Sequence, residues 1–138
     1  FRRVLFRSLC RCRPDWEHPC GDNGVILLDV KTCGDASPAE FARQIARKNY
    51  HHQAAFYIDG FEKASGKKVR EFVFVQGEVN WPHVAGSCAL YPEDIEMGRT
   101  LYRRNLETYA RCLAANEWPG YSNKVELVSL PSYAKGAK

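Results

Sequence analysis

The pattern of apolar and polar residues predicts a buried β-strand in the first quarter of the chain. Residues 25–30 contain five apolar side chains, interrupted only by Asp29, and Lys31 follows them. An apolar run of this length is typical of a strand that is buried on both faces. Asp29 and Lys31 are two residues apart, so both side chains point to the same face. Burying this pair is costly unless a salt bridge, or a metal ion with a phosphate, offsets the charges.

The residues before this strand predict a partner strand and a turn. Residues 9–16 alternate apolar and basic side chains, and they predict a short strand that ends at Pro14 and Asp15. Residues 17–24 are rich in proline, glycine, aspartate and asparagine, a composition that is typical of a turn. Two antiparallel strands joined by this turn would bring Asp15 close to Asp29, although the two residues are distant in sequence.

A long amphipathic helix is predicted after the buried strand. Residues 37–40, Ser-Pro-Ala-Glu, supply an N-cap, a proline for the first helical position and the acid of a capping box. Apolar side chains then recur at three- and four-residue spacing to about residue 58, and Gly60 is predicted to end the helix. Gln53 and Tyr57 are four residues apart and therefore share the face that carries the core side chains.

The second half of the chain repeats the order of strand, strand and helix. Residues 69–78 and 84–91 predict two strands, with a loop at residues 80–83 between them. Pro92 begins a second helix, whose first turn is acidic, and residues 116–119 end it. We therefore expect a mixed α/β fold in which the two acids, the lysine and the glutamine lie at element ends or on one facing side.

Length and composition indicate one globular domain. The chain has 138 residues, 45% of them hydrophobic and 26% charged, which is ordinary for a soluble protein. Residues 1–8 resemble the translation of a sequencing adapter, so we interpret them as an adapter-derived peptide. The predicted domain then spans residues 9–120 and lacks its N-terminal part, and residues 121–138 form a tail. Three of the four net positive charges come from residues 1–8, so the basic pI is weak evidence for a nucleic-acid partner.

The cysteine content and the hydropathy indicate in which cellular compartment the protein is expected. Six cysteines would allow disulfides, but a core-rich chain without a secretory signal favours reduced thiols in a cytoplasm. The sequence contains no Cys-x-x-Cys pair, which makes a zinc or iron–sulfur site a minor alternative. No apolar run approaches the length of a membrane span, so we expect no membrane partner.

Three motifs together resemble the PD-(D/E)xK nuclease superfamily, specifically its RecB-like branch. They are RPD at residues 13–15, LLDVKT at residues 27–32 and QAAFY at residues 53–57. The longer stretches at residues 29–57, 98–113 and 118–121 are similar to the phage-type exodeoxyribonuclease VIII domain, and the likeness covers nearly the whole chain after residue 8. It implies an α/β restriction-endonuclease-like core with a mixed central sheet flanked by helices.

The resemblance also implies a reaction and a biological setting. The activity would be that of a Mg²⁺-dependent exodeoxyribonuclease, with Mn²⁺ as an alternative cation, that hydrolyses phosphodiester bonds at double-stranded DNA ends. The setting would be phage or prophage recombination in the cytoplasm of a bacterial host. A homo-oligomer and a single-strand annealing protein are the partners that the resemblance implies.

The metal ligands that the resemblance implies come from two strands. Asp15 and Asp29 would supply carboxylate oxygens and the Val30 backbone carbonyl would supply a third ligand, a set that suits a hard cation such as Mg²⁺. RecB-like nucleases carry a further ligand, often histidine or glutamate, on a helix before the RPD strand. That region has no counterpart in the sequence, so we expect this fragment to be weakly active or inert.

The remaining roles fall on one strand and one helix. Lys31 would orient or deprotonate the attacking water and stabilise the charge that develops on the phosphate. Gln53 would position that lysine or the water, and Tyr57 would support it from the same helical face. Packing in the core is the alternative for Gln53 and Tyr57. Four arginines could contact DNA phosphates or, alternatively, pair with Glu96 and Glu107 on an exposed helix: Arg99, Arg103, Arg104 and Arg111.

Two other functions stay open. Another RecB-like nuclease, the Cas4 type, carries a C-terminal cysteine cluster for iron–sulfur binding, whereas Cys112 is the last cysteine in this sequence. A non-catalytic DNA-binding module on the same fold is the second alternative. The presence of Asp15, Asp29 and Lys31 together argues against it, since a degenerate site usually loses one of these residues.

Overall fold

The computed structural model describes residues 2–5 and 8–135, and the side chains of residues 9–135. The described elements form a two-stranded hairpin, a four-stranded sheet and three α-helices. In chain order they are β1 (Arg2–Leu5), β2 (Ser8–Arg11), β3 (Trp16–Pro19), β4 (Gly24–Cys33), α1 (Pro38–Lys48), α2 (Tyr50–Ser65), β5 (Lys68–Glu78), β6 (Ala85–Ala89), α3 (Pro92–Ala115) and a 3₁₀ turn (Ser132–Ala134).

The larger sheet has the strand order β3-β4-β5-β6, and its strands run in both directions. β4 and β5 are parallel, and helices α1 and α2 form the crossover connection between them. β3 and β6 each pair antiparallel to their neighbour in the sheet. The predicted α/β fold with a mixed central sheet is confirmed.

The partner strand of β4 lies later in the chain than the pattern predicts. β2 ends at Arg11, residues 12–15 are irregular, and β3 occupies Trp16–Pro19, where the sequence predicts a turn. Pro14 lacks a backbone N–H group and fits this irregular stretch. The turn itself is confined to residues 20–23 and is closed by the N–H group of Cys20, which donates to the Gly24 carbonyl at 2.8 Å.

The prediction of a single helix over residues 37–58 is wrong in two respects. Asn49 adopts a left-handed conformation (φ 56°) and separates α1 from α2, while its N–H group donates to carbonyls at the end of α1. Asparagine tolerates this conformation better than most residues do. Gly60 does not end α2. A Cβ atom at this position would lie 3.1 Å from the Cys12 sulfur, so the absence of a side chain allows Cys12 to pack closely against the helix. The helix ends instead at Gly66, which has φ 75°.

Burial alternates along β4, with one face toward the helices. Val25, Leu27 and Asp29 are buried, whereas Val30 is 59% exposed on the opposite face. The expectation that both faces of this strand are buried is therefore wrong at its C-terminal end. The covered face packs against an aromatic core formed by Phe41, Phe61, Phe72 and Phe74.

An irregularity in β5 adjusts how it pairs with β4. Val25 pairs with Val69, but the next residue of β4 pairs with Glu71, so Arg70 is an extra residue. This insertion allows Val69 and Phe72, three residues apart, both to pack into the core. After it, Asp29 lies beside Phe74.

α3 packs closely against α2. A Cβ atom on Gly98 would lie 2.1 Å from the carbonyl oxygen of His51, so only glycine fits between the two backbones. Further along, Asp59 accepts hydrogen bonds from Arg99 (Nε, 2.9 Å) and from the Tyr102 hydroxyl (2.5 Å). These contacts fix how the two helices sit relative to each other. Among the described helices, none combines the length and apolar character that a membrane crossing requires.

Candidate active site

The side chains of Asp29, Lys31 and Gln53 form a closed network at the C-terminal end of β4. The Lys31 ammonium forms an ion pair with Asp29 Oδ2 and donates to Gln53 Oε1 at 2.9 Å. Gln53 Nε2 in turn donates to Asp29 Oδ1 at 3.0 Å. The two-residue spacing in β4 places the acid and the base on one face, and α2 brings the amide onto that face. Each of the three side chains therefore contacts the other two.

Asp15 lies at the edge of this network. Its N–H group donates to the Leu28 carbonyl at 3.1 Å, and its Oδ2 atom accepts from the Val30 N–H group at 2.8 Å. Trp16 pairs with Leu28, so continuing the register by one residue places Asp15 opposite Asp29. Residues that pair directly across two strands share a face. The carbonyl of Val30 points to the same edge as its N–H group, that is, toward Asp15.

The protonation of Asp29 reflects opposing influences. Burial raises the pKa of this carboxyl group above its ordinary value, because the charged form loses its hydration. The ion pair with Lys31 and the hydrogen bond from Gln53 oppose that rise, and the negative charge of Asp15 adds to it. The strand register places the two carboxylates opposite each other, which is an arrangement that a shared cation would stabilise.

A family model described as a "PDDEXK-like domain of unknown function (DUF3799)" matches residues 4–131. The chain belongs to this family. The match confirms the predicted relationship to the PD-(D/E)xK superfamily, whereas the RecB-like branch and the phage-type domain stay predictions. The domain boundaries predicted at residues 8/9 and 120/121 also stay predictions.

The fold of this PDDEXK-like domain also resembles a solved structure. The crystal structure of a "Putative exonuclease" from Eubacterium rectale superimposes with a TM-score of 0.68 and 12% sequence identity. The match covers 99% of this chain and 55% of that chain, so this chain spans about half the length of the bacterial protein. At this identity the likeness shows the fold alone. A comparison with curated proteins found no match.

Two tyrosines of the PDDEXK-like domain flank the network in different ways. The Tyr50 ring lies 4.6 Å from the Lys31 ammonium, within range of a cation–π interaction. The sequence motifs do not include Tyr50, although it precedes Gln53 by three residues and so shares its helical face. Tyr57 packs against Phe56 and Phe72, with ring centroids 6.3 Å apart in both pairs. Its predicted support of Lys31 stays a prediction.

The oxygen atoms at this site fit a hard cation. No group of three or more histidine, cysteine or acidic side chains with metal-binding geometry occurs among the described residues. Asp29 Oδ2 is buried and receives no well-aligned hydrogen bond from the described chain, although it forms the ion pair with Lys31. Two carboxylates and the Val30 carbonyl would suffice for Mg²⁺, which retains several water ligands in most protein sites.

Several other residues have structural roles that the sequence did not reveal. Glu78 Oε1 accepts a hydrogen bond from the Ala36 N–H group at 2.9 Å and thereby fixes the segment between β4 and α1. Arg99 pairs with both Glu96 and Asp59, and Arg103 contacts Asp59 at 3.4 Å. The predicted pairing with Glu96 is therefore present for Arg99, while Asp59 was missed because it lies 40 residues away in sequence.

Proposed function

We propose that this PDDEXK-like domain is the catalytic part of a metal-dependent exodeoxyribonuclease that hydrolyses phosphodiester bonds at double-stranded DNA ends. The observation that carries the proposal is the network of Asp29, Lys31 and Gln53, with Asp15 at its edge. This combination gives carboxylates for a cation beside an ammonium group for a phosphate. The name of the Eubacterium rectale protein supports exonuclease activity for a chain with the same fold.

The chemistry follows from the positions of the side chains. Asp15, Asp29 and the Val30 carbonyl would hold Mg²⁺ or Mn²⁺, which when bound lowers the pKa of a water molecule and neutralises phosphate charge. Lys31 stands two residues beyond Asp29 on the same face, where its ammonium group can stabilise the charge that develops on the phosphate. Gln53 restricts the Lys31 side chain to that position through the 2.9 Å hydrogen bond.

The wider setting follows from the sequence resemblance. We assign the activity to phage or prophage recombination in the cytoplasm of a bacterial host, with a homo-oligomer and a single-strand annealing protein as partners. The resemblance supports these assignments through the stretches at residues 29–57 and 98–113.

The test compares Mg²⁺-dependent nucleotide release from linear duplex DNA by the parent chain and by Lys31→Ala. We expect release from the linear duplex but not from a closed circle, which has no ends. Lys31→Ala should lose activity by about 100-fold or more, as expected when one charge-stabilising donor is removed. Lys68→Ala is the matched control, because that lysine is exposed and pairs with Glu62. Equal, substantial activity in the parent and in Lys31→Ala would refute the nuclease assignment.

A calorimetric titration separates catalysis from simple DNA binding. A nuclease site should bind Mg²⁺ with a measurable heat that disappears in Asp29→Asn, because the substitution removes a charged oxygen ligand. A DNA-binding module without a metal site should show no such heat in either protein. This measurement does not depend on turnover, so it also applies if nucleotide release is slow.

A further inference from the structure

An aromatic groove runs between α2 and α3 and shares one wall residue, Gln53, with the candidate active site. It encloses about 430 Å³, and Gln53, whose amide contacts Lys31 and Asp29, forms part of its wall. Most of its remaining wall is aromatic or aliphatic, and it includes Phe56, Tyr57, Tyr102, Leu106 and Tyr109. The groove and the network therefore share Gln53 but differ in chemistry.

The rings inside the groove are held in place. Phe56 and Tyr102 meet edge to face, with centroids 5.4 Å apart and an interplanar angle of 79°. Tyr102 is buried, and its hydroxyl donates to Asp59, which prevents the ring from turning. Tyr109 stands at the mouth, 45% exposed, with its ring centroid 5.5 Å from that of Trp118. A ligand would thus meet fixed rings inside the groove and the partly exposed ring of Tyr109 at its rim.

Two arginines of α3 are sequence neighbours of residues in the groove wall. Arg104 is exposed and directly precedes Asn105, a groove residue, in α3. The described residues form no ion pair with Arg104, in contrast to Arg99. The Arg103 guanidinium lies 6.0 Å from the Tyr102 ring and is half exposed. None of the described side chains that line the groove is acidic, so the groove wall does not repel an anionic backbone.

We propose that this groove binds unpaired nucleobases of one DNA strand, whose phosphate backbone passes the Asp29–Lys31–Gln53 network. Aromatic side chains bind bases of any sequence by stacking, and nearby cations contact the phosphates. Paired bases inside a duplex have no free faces, so they cannot enter the groove. The inference rests on the proposed function and extends it: the substrate at the site is a single strand, separated from its complement at the duplex end.

The test measures binding by fluorescence anisotropy in EDTA, so that no cleavage occurs. The full 138-residue chain is titrated into a labelled oligothymidylate and into a blunt hairpin duplex with the same label. We expect the single strand to bind at least about tenfold more tightly than the duplex. Tyr109→Ala should weaken single-strand binding by about fivefold or more, because one stacking partner is lost. Tyr109→Phe should retain binding within about twofold, because it keeps the ring.

Two further variants control for folding and for charge. Tyr91→Ala removes a tyrosine that is 73% exposed and lies outside the groove, so binding should not change. Asn105→Asp introduces a carboxylate at an exposed position in the groove wall without removing a ring, and it should weaken binding by repelling the phosphates. Circular dichroism of each variant should show the helical content of the parent.

The results separate this inference from the proposed function. If Tyr109→Ala and Asn105→Asp bind the single strand as tightly as the parent, the groove assignment is wrong, even if Lys31→Ala abolishes cleavage. If both variants weaken binding while the parent shows no Mg²⁺ heat that Asp29→Asn removes, the groove assignment holds and the nuclease assignment fails. Tighter binding of the duplex than of the single strand would overturn the inference. The inference would also be overturned if Tyr109→Ala converted a dimer to a monomer in sedimentation velocity, because the groove would then bind a second protein chain.

Discussion

Gln53 donates a hydrogen bond from its Nε2 atom to Asp29 Oδ1 across 3.0 Å, and this bond joins α2 to β4. The other end of the same amide accepts a hydrogen bond from the Lys31 ammonium. The two contacts fix the orientation of the amide, because the reverse orientation would place oxygen against a carboxylate and nitrogen against an ammonium group. The helix therefore contributes to the network through a side chain that can bind an acid and a base simultaneously.

We expect Gln53→Ala to lower kcat by about 10- to 100-fold, the usual effect of removing a group that orients an active-site residue. The melting temperature should change little, because Gln53 is only partly buried. Gln44→Ala is the matched control: this glutamine also contacts β4, at the Thr32 carbonyl, but it lies outside the network. The assignment of Gln53 as a positioning residue would be wrong if the two variants had equal activity.

The raised pKa of Asp29 predicts how cation binding depends on pH. A cation binds the ionised carboxylate, so protons compete with it as the pH falls toward a pKa that burial has raised. As the pH falls, the increase in melting temperature caused by Mg²⁺ should therefore be lost at a higher pH than it would be if the ligand were an exposed aspartate. Asp29→Asn should show little increase at any pH. Differential scanning fluorimetry across a pH series, with and without Mg²⁺, provides the measurement.

In the absence of the cation, protonation of the same carboxyl group should stabilise the fold. Because the pKa of Asp29 is raised in the folded chain, the folded state takes up this proton more readily than the unfolded state. The unfolding free energy of the parent should therefore rise relative to that of Asp29→Asn as the pH falls through the raised pKa. Chemical denaturation in EDTA measures this difference, and a change of opposite sign would contradict the burial argument.

Asp59→Ala should destabilise the fold through the contact between α2 and α3. The substitution leaves the Arg99 guanidinium and the buried Tyr102 hydroxyl without their shared acceptor. We expect a loss of about 2 kcal/mol in the free energy of unfolding, typical of hydrogen bonds to a charged group. Glu96→Ala, which removes an exposed partner of the same arginine, should cost less than about 1 kcal/mol. Urea denaturation of both variants checks the order.

Gly98→Ala should also destabilise the packing of α3 on α2. The added methyl group would lie 2.1 Å from the His51 carbonyl oxygen, so the helices must separate. We expect a loss of about 1–3 kcal/mol, the range typical of overpacked sites. Gly34→Ala is the control, since a Cβ atom there has no neighbour within 4 Å. Equal melting temperatures for the two variants would show that the backbones tolerate the methyl group.

The sequence pattern predicted the parts of the fold that depend on local spacing. The two-residue interval between Asp29 and Lys31 fixed their common face, and Pro92 and Asn116 marked the ends of α3 correctly. The break at Asn49 was missed because the apolar periodicity continues through it into α2. Gly60 was interpreted as a helix end because its contact with Cys12 comes from a distant segment. Local patterns do not reveal contacts of this kind.

The extra residue at Arg70 determines which side of β5 supports the network. Side chains alternate along a strand, so if Arg70 paired regularly with Ile26, every later residue of β5 would shift by one position and exchange faces. Phe74, now beside Asp29, and Gln76, now beside Lys31, would turn outward, and valines would replace them behind the acid and the base. The chemical surroundings of the site thus depend on the bulge at Arg70 as well as on the identity of the residues in β5.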